Sequence, residues 1–333
     1  MHNSEGMYDI VSIGSATQDV CLSADNFHIL ESDDFSVGKG ICLPFSSKVQ
    51  IQNLVFASGG GGTNAAVTFA RQGYRTACLG VIGQDANGSL ILDELRRESV
   101  DGKYFQVHNE DSTAYSVVLV SRGGERTILS YKGAGIHWDV SAIPWEQIRS
   151  KWLYVNSLGG HAEVLERIVA ESKKHGTHLV TNPGSQEIEL GLERLAPLWS
   201  RFDIVGMNQE EAAAIAGVPY HETDRIFRVM DDAIGGILIM TQGSRGVMVS
   251  DGTYRYSAGI PNREVVDRTG AGDAFHSAFI AEFIRSGSIE RSIQMGTANS
   301  TSVVARYGAK EGILHKGDIG AQPLVRVERV LLK

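Results

Sequence analysis

Residues 267–273 read Asp267-Arg268-Thr269-Gly270-Ala271-Gly272-Asp273, and a helical pattern follows them directly. Phe275, Phe279 and Phe283 recur every four residues, which predicts one apolar helix face beginning just after the glycines. The first turn of a helix offers unpaired N–H groups and positive dipole potential, which favour a phosphate. Because small residues let an anion come close to the backbone, this stretch predicts an anion site at the start of a helix.

Asp273 falls in the first turn of that helix, beside the predicted anion site. A carboxylate repels phosphate, so anion binding alone does not explain its position. The residue fits a base that takes a proton from an attacking hydroxyl, or a group that organises Mg²⁺. The alternative is an ordinary helix with an acidic first turn.

The composition is that of a globular protein with no preference for nucleic acid. Of the 333 residues, 42% are hydrophobic and 21% charged, which allows a large core. The net charge of −8 argues against a nucleic-acid partner. The length fits two domains or one large α/β domain.

Motifs of several other classes are missing from the sequence. The three cysteines, Cys21, Cys42 and Cys78, match neither a zinc site nor a disulfide framework. There is no Walker A, His-Glu-x-x-His or Gly-x-Ser-x-Gly pattern, which argues against P-loop kinases, zinc proteases and typical α/β-hydrolases. No apolar run of 18 residues and no leader-like start occur, so we expect no membrane partner and a cytoplasmic location.

Apolar runs of strand length alternate with amphipathic segments along most of the chain, which predicts an α/β fold. Strands are predicted at 10–14, 76–82, 152–156, 178–181, 204–205 and 237–241, and helices at 64–72, 89–98, 163–174, 210–216, 270–285 and 290–306. This alternation predicts a mainly parallel sheet covered by helices on both faces.

Two regions break the alternation and predict a small separate sheet. Residues 16–57 hold short β-like pieces, such as 48–52, and no convincing helix. Residues 113–131 alternate apolar and polar side chains around Arg122-Gly123-Gly124-Glu125, which predicts a hairpin. A sheet with one free apolar face needs a partner, either the main domain or another subunit.

A second glycine-rich stretch, Ser58-Gly59-Gly60-Gly61-Gly62-Thr63-Asn64, precedes an apolar helical pattern. Four glycines are usually kept where a ligand or another backbone comes close, although a flexible loop is the alternative. Gly60-x-Gly62-x-x-Ala65 with Asp85 also fits the dinucleotide fingerprint. That interpretation is disfavoured because Asp85 lies in a loop before a helix and the stretch does not follow a first nucleotide-domain strand.

Together these segments resemble the PfkB family of ribokinase-like carbohydrate kinases over roughly residues 8–315. Both family signatures are present in order, a glycine-rich turn ending in Asn64 and the stretch ending in Asp273. Shorter family elements are matched by residues 80–88, 208–211 and 241–246, and by Asp19 after the first strand. The resemblance implies one Rossmann-like, three-layer α/β/α domain over residues 1–333, with a β-sheet lid from insertions 16–57 and 113–131.

The implied reaction transfers the γ-phosphoryl group of ATP, with Mg²⁺, to a hydroxyl of a sugar or sugar derivative. Asp273 is then the general base, and the amides of Gly270, Ala271 and Gly272 hold charge on the phosphoryl group. The substrate-binding residues are Asp19, Gly60, Gly61 and Asn64. The nucleotide-binding residues are Asn208, Glu211, Thr241, Gly243, Ser244, Gly246 and Asn299.

The metal and assembly predictions also come from the resemblance. Glu211 is expected to hold Mg²⁺ through water, since that ion tends to keep its waters. For Asn208 and Glu211 the alternative is a helix cap with an acidic first turn. Asp267 matches a position that binds a monovalent cation in several relatives, but Arg268 replaces the usual Thr and puts K⁺ dependence in doubt. A homodimer through the lid is expected.

The acceptor and the class of protein stay open at this point. A nucleoside kinase of the adenosine type is the alternative, with Phe27, Phe35, Phe45, Tyr115 and Tyr131 as candidates for an aromatic wall. A ligand-binding protein that kept the fold without the chemistry is disfavoured by the intact Asp273. A dinucleotide oxidoreductase is more distant still.

Overall fold

The structure is a computed structural model that describes residues 6–24, 27–32, 34–35, 38–121, 126–263 and 265–332. A large mixed sheet forms its centre. In spatial order its strands are β18 (Glu328–Leu331), β17 (Tyr254–Ala258), β16 (Val247–Ser250), β15 (Ile237–Thr241), β14 (Ile204–Asn208), β13 (His178–Thr181), β12 (Ser150–Val155), β1 (Tyr8–Ile13), β6 (Thr76–Leu79) and β8 (Val100–Asp101). The strands from β15 to β8 are parallel, and β16, β17 and β18 extend the sheet antiparallel.

Helices cover both faces of this sheet. They are α1 (Gly61–Arg71), α2 (Ala86–Arg97), α3 (Ala162–His175), α4 (Ser185–Ile188), α5 (Leu192–Trp199), α6 (Gln209–Ala216), α7 (Thr223–Ala233), α8 (Ala271–Ser286) and α9 (Ile289–Val304). In β1, Val11 and Ile13 pack in one apolar core with α3, α5, α6 and α7. Ile10 packs on the opposite face with α1, α8 and α9. The three-layer α/β/α prediction is therefore confirmed.

A separate small sheet comes from the two regions that break the alternation. Its order is β11 (Arg126–Tyr131), β10 (Tyr115–Val120), β2 (Thr17–Ser23) and β5 (Asn53–Gly59). Strands β10 and β11 pair antiparallel as the hairpin prediction requires, while the turn at 122–125 lies outside the described residues. Two short pairs complete the strands, β3 (His28–Glu31) with β4 (Lys39–Cys42) and β7 (Val81–Gly83) with β9 (Gln106–His108).

Two strand predictions are wrong, and both errors have a structural cause. Residues 48–52 form no strand, because β2 ends at Ser23 and its last pairing is with Asn53. The predicted strand 76–82 is two strands in different sheets, interrupted at Gly80. A Cβ at Gly80 would lie 2.8 Å from the carbonyl oxygen of Gly14, so the chain passes there in close contact with β1's end. Within the described part of the chain, every helix is too short or too polar to cross a bilayer.

Candidate active site

The polar residues of interest lie at the carboxyl ends of the parallel strands, where open α/β sheets bind ligands. Asn156, Asn182 and Asn208 occupy this edge on β12, β13 and β14 or directly after them. Asn156 donates from Nδ2 to the carbonyl oxygen of Asn182 at 3.1 Å, and Asn182 donates to the carbonyl oxygen of Gly206 at 3.0 Å. These hydrogen bonds link the carboxyl ends of β12, β13 and β14. Asn156 also hydrogen-bonds Asp273, in the first turn of α8.

The glycine turn, residues 58–64, connects β5 to α1 and is tightly packed. Gly60 is the N-cap of α1 with φ of 92°, a conformation that favours glycine. A Cβ at Gly61 would lie 1.9 Å from Asn156 Oδ1, and one at Gly62 would lie 2.7 Å from the backbone of Gly14. Helix α1 begins at Gly61, three residues before the predicted start, because the glycines themselves enter the helix. Close approach to another backbone therefore explains this stretch better than flexibility.

Asn64 and Asp273 come together across 209 residues of sequence. Asn64 Nδ2 donates to Asp273 Oδ2 at 2.9 Å. Asn64 is buried, and its Oδ1 atom has no hydrogen-bond partner among the described residues. A buried unpaired oxygen is costly, by about 1–3 kcal/mol, so a hydroxyl donor placed here would be well bound. The two family-signature residues thus share one polar pocket.

Burial raises the pKa of the Asp273 carboxyl above its usual range, and hydrogen bonds from Asn64 and Asn156 and the charge of Lys310 partly oppose that shift. A raised pKa brings a carboxylate closer to the range useful for general-base catalysis near neutral pH. The Asn156 bond was missed at the sequence level, since an isolated asparagine after a strand carries no recognisable pattern.

Asp19 projects from β2 in the small sheet toward the same region. It is buried, and burial raises its pKa to about 6, while Ser116 and Lys310 act in the opposite direction. The negative charges of Asp267 and Asp273 raise it further. A Cβ at Gly59 would lie 1.9 Å from Asp19 Oδ2, so glycine is needed there to admit the carboxylate.

The anion turn, residues 267–273, starts α8 as predicted. Gly270 is the N-cap with φ of 73°, and α8 begins at Ala271. The Ala271 amide makes only a long bond of 3.3 Å to the carbonyl oxygen of Arg268. A Cβ at Gly272 would meet nothing within 4 Å, so this glycine borders open space. The first-turn amides have no partner within the helix, which leaves them for an anion.

A cavity of about 590 Å³ adjoins the anion turn. Its walls include Ala271, Gly272 and five of the predicted nucleotide residues, Asn208, Thr241, Gly243, Ser244 and Gly246. This size lies within the usual range for small-molecule sites. Among the described residues, Gly270, Asp273, Glu211 and Asn299 are not part of the wall.

The cavity is basic although the chain as a whole is acidic. Arg126, Arg263 and Arg268 line it, against a single carboxylate, Glu210, among the described lining residues. Arg126 comes from β11, so the small sheet contributes to this cavity as well. Such a charge distribution favours a polyanion. The sequence analysis did not identify Arg126 and Arg263, and it noted Arg268 only as a departure from the family pattern, because the three are scattered over 142 positions without a common motif.

Asn208 and Glu211 form a capping box at the start of α6. Asn208 Oδ1 accepts from the Glu211 amide and Glu211 Oε2 accepts from the Asn208 amide, both at 2.9 Å. Burial raises the pKa of Glu211 to about 7, and the nearby charge of Asp273 contributes. The cap uses only Oε2, which leaves Oε1 for a hydrated ion. The structural role predicted as the alternative is therefore present, and it is compatible with a ligand role.

Two predicted ligand residues are fully engaged inside the protein. Asn299 is completely buried; Nδ2 donates to the carbonyl oxygen of Ala274, and Oδ1 accepts from the Leu314 amide, both at 2.8 Å. The structure therefore gives Asn299 no surface for a nucleotide base, and its polar side chain connects α9 to α8. Sequence could not separate this buried amide from an exposed one on the same helix.

Asp267 is also fully buried, and its carboxylate oxygens accept hydrogen bonds from three protein donors. Oδ1 accepts from the Thr269 amide at 2.9 Å and the Thr269 hydroxyl at 2.7 Å, while Oδ2 accepts from the Gly308 amide at 3.1 Å. These bonds explain a buried carboxylate without a metal ion. The side chain of Arg268 lines the 590 Å³ cavity instead.

The residues behind the dinucleotide interpretation have other roles. Asp85 is the N-cap of α2 and accepts from the Gly88 amide at 2.8 Å and the Thr113 hydroxyl at 2.6 Å. His276, three residues after Asp273, is buried and donates from Nδ1 to the carbonyl oxygen of Gly272. Burial lowers its pKa to about 4, so it packs as a neutral imidazole.

Comparisons with known proteins find similar chains among sugar kinases. A ribokinase from Haemophilus influenzae is 28% identical over 79% of this chain and 86% of its own. An ATP-dependent ribose-1-phosphate kinase from Halopiger xanaduensis is 25% identical, covering 91% of this chain and 94% of its own.

Solved structures share the fold at lower identity. Arabidopsis thaliana ribokinase complexed with ribose and ATP has a TM-score of 0.76 at 22% identity, covering 95% of this chain and 98% of its own. Adenosine kinase from Sinorhizobium meliloti has a TM-score of 0.75 at 22% identity, covering 91% and 95%. The family described as pfkB family carbohydrate kinase matches residues 7–316. With both signature turns in one polar pocket and nearly the whole chain matched, this protein belongs to the pfkB family of carbohydrate kinases.

Proposed function

We propose that this protein transfers the γ-phosphoryl group of ATP to a hydroxyl of a sugar or sugar derivative, with Asp273 as the general base. The observation that carries the proposal is the position of Asp273. Its carboxylate accepts a hydrogen bond from Asn64 of the glycine turn, while Ala271 and Gly272, directly before it in the anion turn, line the basic cavity. An acceptor on the Asn64 side and a nucleotide in the cavity would meet at this carboxylate.

The acceptor side is equipped to bind hydroxyl groups. Asn64 Oδ1 is a buried acceptor without a partner among the described residues, and Asp19 supplies a second buried oxygen site. Both groups accept hydrogen bonds, and hydroxyl groups donate them. The acceptor hydroxyl would give its proton to Asp273 as its oxygen bonds to the γ-phosphorus. The bond from that phosphorus to the bridging β,γ-oxygen breaks, and ADP leaves with the bond's electrons.

The nucleotide side is equipped to hold phosphate. Arg126, Arg263 and Arg268 would balance the charge of the triphosphate, and the first-turn amides of α8 would receive charge on the moving phosphoryl group. Activity should fall as pH drops through the raised pKa of Asp273, since a protonated carboxyl cannot accept the proton.

Glu211 and Asn208 fit a hydrated Mg²⁺ at the edge of the cavity. Glu211 keeps Oε1 outside its capping bond, and a carboxylate with a raised pKa gains from a nearby cation. Mg²⁺, when bound, would neutralise phosphate charge. We leave a monovalent cation out of the proposal, because both oxygens of the Asp267 carboxylate already accept hydrogen bonds from protein donors.

A sugar is favoured over a nucleoside as the acceptor. Phe45 is fully exposed, Tyr131 is half exposed and hydrogen-bonded to Asp111, and Phe35 packs on Gly40 of β4. These side chains therefore do not form one aromatic wall for a base. The likeness to the Sinorhizobium meliloti adenosine kinase, at 22% identity, concerns the fold.

The small sheet is proposed to act as a lid and as the dimer interface. It carries Asp19 and Arg126, so its movement would close over acceptor and nucleotide together and exclude water. Leu54 and Phe56 on β5, with Ile128 and Leu129 on β11, leave large apolar side chains exposed. Both strands lie at edges of the sheet, and a second copy would cover these side chains. A Phe56→Asp variant should shift a dimer to a monomer in sedimentation; a monomeric wild type would reject the dimer.

The test of the main proposal is ADP release from ATP and Mg²⁺ with a panel of sugars, sugar acids and nucleosides. We expect at least one sugar-like acceptor to stimulate ADP release and to gain the mass of one phosphoryl group. Turnover restricted to nucleosides would replace the sugar with the alternative. A folded enzyme that binds ATP and phosphorylates nothing in the panel would contradict the kinase proposal.

A further inference from the structure

A lysine outside both signatures lies buried beneath the glycine turn. Lys310 is only 5% exposed, and its ammonium donates to the hydroxyl oxygens of Ser58 and Thr63, the latter at 2.9 Å. Its third neighbour is Glu94 on α2, at 3.6 Å. Burial lowers the pKa of Lys310, while Glu94 and Asp19 oppose that shift.

The geometry of these contacts spans the whole turn. Ser58 precedes the four glycines and Thr63 follows them, so one ammonium group holds both ends of the four-glycine stretch. Thr63 Oγ1 in turn donates to the carbonyl oxygen of Gly59 at 2.7 Å. A buried ammonium is costly unless its donors and its charge are compensated, and here two hydroxyl oxygens accept hydrogen bonds from it while the Glu94 carboxylate, at 3.6 Å, offsets its charge.

Lys310 is not needed to hold its own segment. Arg71 donates to the carbonyl oxygens of Lys310 and Ile313 at 2.9 and 3.0 Å, which already fixes that backbone to α1. An apolar side chain would fill the same space at lower electrostatic cost. The ammonium therefore adds a link to the glycine turn that packing alone would not provide.

The same segment also contacts the anion turn. The Gly308 amide donates to Asp267, and a Cβ at Gly270 would lie 2.4 Å from that of Ala309. Residues 308–310 therefore touch both signature turns from below, one through Gly308 and Ala309 and the other through Lys310.

We propose that Lys310 is a positioning residue for the acceptor, holding the glycine turn at a fixed distance from the anion turn so that Asn64 and Asp273 stay in register. It acts through Ser58 and Thr63 and does not touch the substrate. The inference rests on the proposed function for its kinetic consequence, while its structural part stands without it.

The test compares Lys310→Met with Lys316→Met, an exposed lysine six residues later in the same segment. Without ligand, we expect the amides of residues 59–63 to exchange with solvent about 10-fold faster in Lys310→Met and at the wild-type rate in Lys316→Met. A factor of about 10 corresponds to losing one charge-assisted link of roughly 1.4 kcal/mol. The KM for the panel sugar that the wild type uses best should rise about 10-fold, with the Kd for ATP within about twofold.

A second variant covers the case in which Lys310→Met does not fold. Thr63→Val keeps the shape of the side chain and removes the oxygen that Lys310 binds, so it should give faster exchange at 59–63 and a raised acceptor KM. Lys310→Arg, which keeps the charge, should recover most of the acceptor KM. Wild-type exchange at 59–63 in the folded variants would overturn the proposal. So would an unchanged acceptor KM or an equal loss of ATP affinity. Because exchange is measured without substrate, its outcome is independent of whether the wild type phosphorylates a sugar.

Discussion

The glycine turn and the anion turn both depend on glycine, but for opposite reasons. In the glycine turn a Cβ at Gly61 or Gly62 would lie 1.9 or 2.7 Å from other protein atoms, so the space is filled by the protein itself. In the anion turn a Cβ at Gly272 would meet nothing within 4 Å. The glycine turn is built by packing and presents the side-chain amide of Asn64 to the pocket. The anion turn is packed at Gly270 but keeps its backbone at Gly272 open for a ligand. Similar residues in a sequence can thus report a fold constraint in one place and a binding site in another.

Replacing the proposed base tests most strongly whether chemistry resides at the anion turn. Asp273→Asn is expected to lower kcat by about 10²–10⁴-fold, because the amide cannot accept the proton of the acceptor hydroxyl. Steady-state kinetics with the best panel sugar would measure it. Asp224→Asn, at an exposed acidic position in the first turn of α7, is the matched control and should leave kcat unchanged. A folded Asp273→Asn enzyme with near-normal kcat would show that another group takes the proton.

Adding a methyl group to each turn separates the two uses of glycine. Gly62→Ala should destabilise the protein by about 1–3 kcal/mol, because its Cβ would press on the rigid backbone of Gly14. Gly272→Ala should leave the free energy of unfolding within about 0.5 kcal/mol, as for other substitutions into open space, but weaken ATP binding. Denaturant unfolding and ATP titration would measure both variants. Equal stability of the two variants would remove the contrast drawn here.

Asn64 marks the point where the packed turn meets Asp273. Asn64→Ala removes the oxygen proposed to accept a substrate hydroxyl and the donor that holds Asp273. We expect kcat/KM for the acceptor to fall about 5–150-fold, equivalent to about 1–3 kcal/mol, with ATP affinity nearly unchanged. Parallel loss of ATP affinity would instead assign Asn64 to the nucleotide and revive the dinucleotide interpretation.

The electrostatic cost of burying the Glu211 carboxylate should appear in stability. The pKa of Glu211 is raised from 4.5 to about 7, so the folded state binds its proton more tightly than the unfolded state does. This carboxyl therefore lowers stability as pH rises from 4.5 through 7. Glu211→Gln keeps the capping box and should stabilise the protein at pH 8 by about 1–2 kcal/mol after allowance for partial exposure.

At pH 4.5 the same substitution should have little effect, because Glu211 is then protonated in the folded state. Denaturant midpoints at the two pH values would test this, with Glu210→Gln at the adjacent exposed position as the control. A gain of equal size at both pH values would show that the carboxylate charge is not the cause.

The features that could be predicted from sequence are those that depend on interactions between residues close together in the chain. Helix α8 with its Phe275, Phe279 and Phe283 face, and the capping box at Asn208, are local and were recognisable from a few neighbouring residues. The large sheet followed from alternating segments. The strand at 48–52 was not predictable in this way, because whether it forms depends on where β2 ends.

The missed site residues all act through distant contacts. Lys310 meets residues about 250 positions away, and Asn156 and Arg126 join the site only because strand order brings them there. Asn299 was predicted to bind the nucleotide from its position on a late helix. In the structure its side-chain amide is hydrogen-bonded to the backbone of Ala274 and Leu314. Single positions carry no periodicity, so their roles depend on the tertiary structure.

The tight contact between the glycine turn and Gly14 has a consequence for directed evolution. Mutant libraries aimed at a new acceptor usually vary the residues nearest the substrate, and positions 60–62 would be chosen first. Most members of such a library would misfold, since the volume beside each glycine is already taken by Ser15, Asn156 or Gly14. Diversity is better placed on the small sheet, at Ser116, where a side chain already contacts Asp19 and no glycine is replaced.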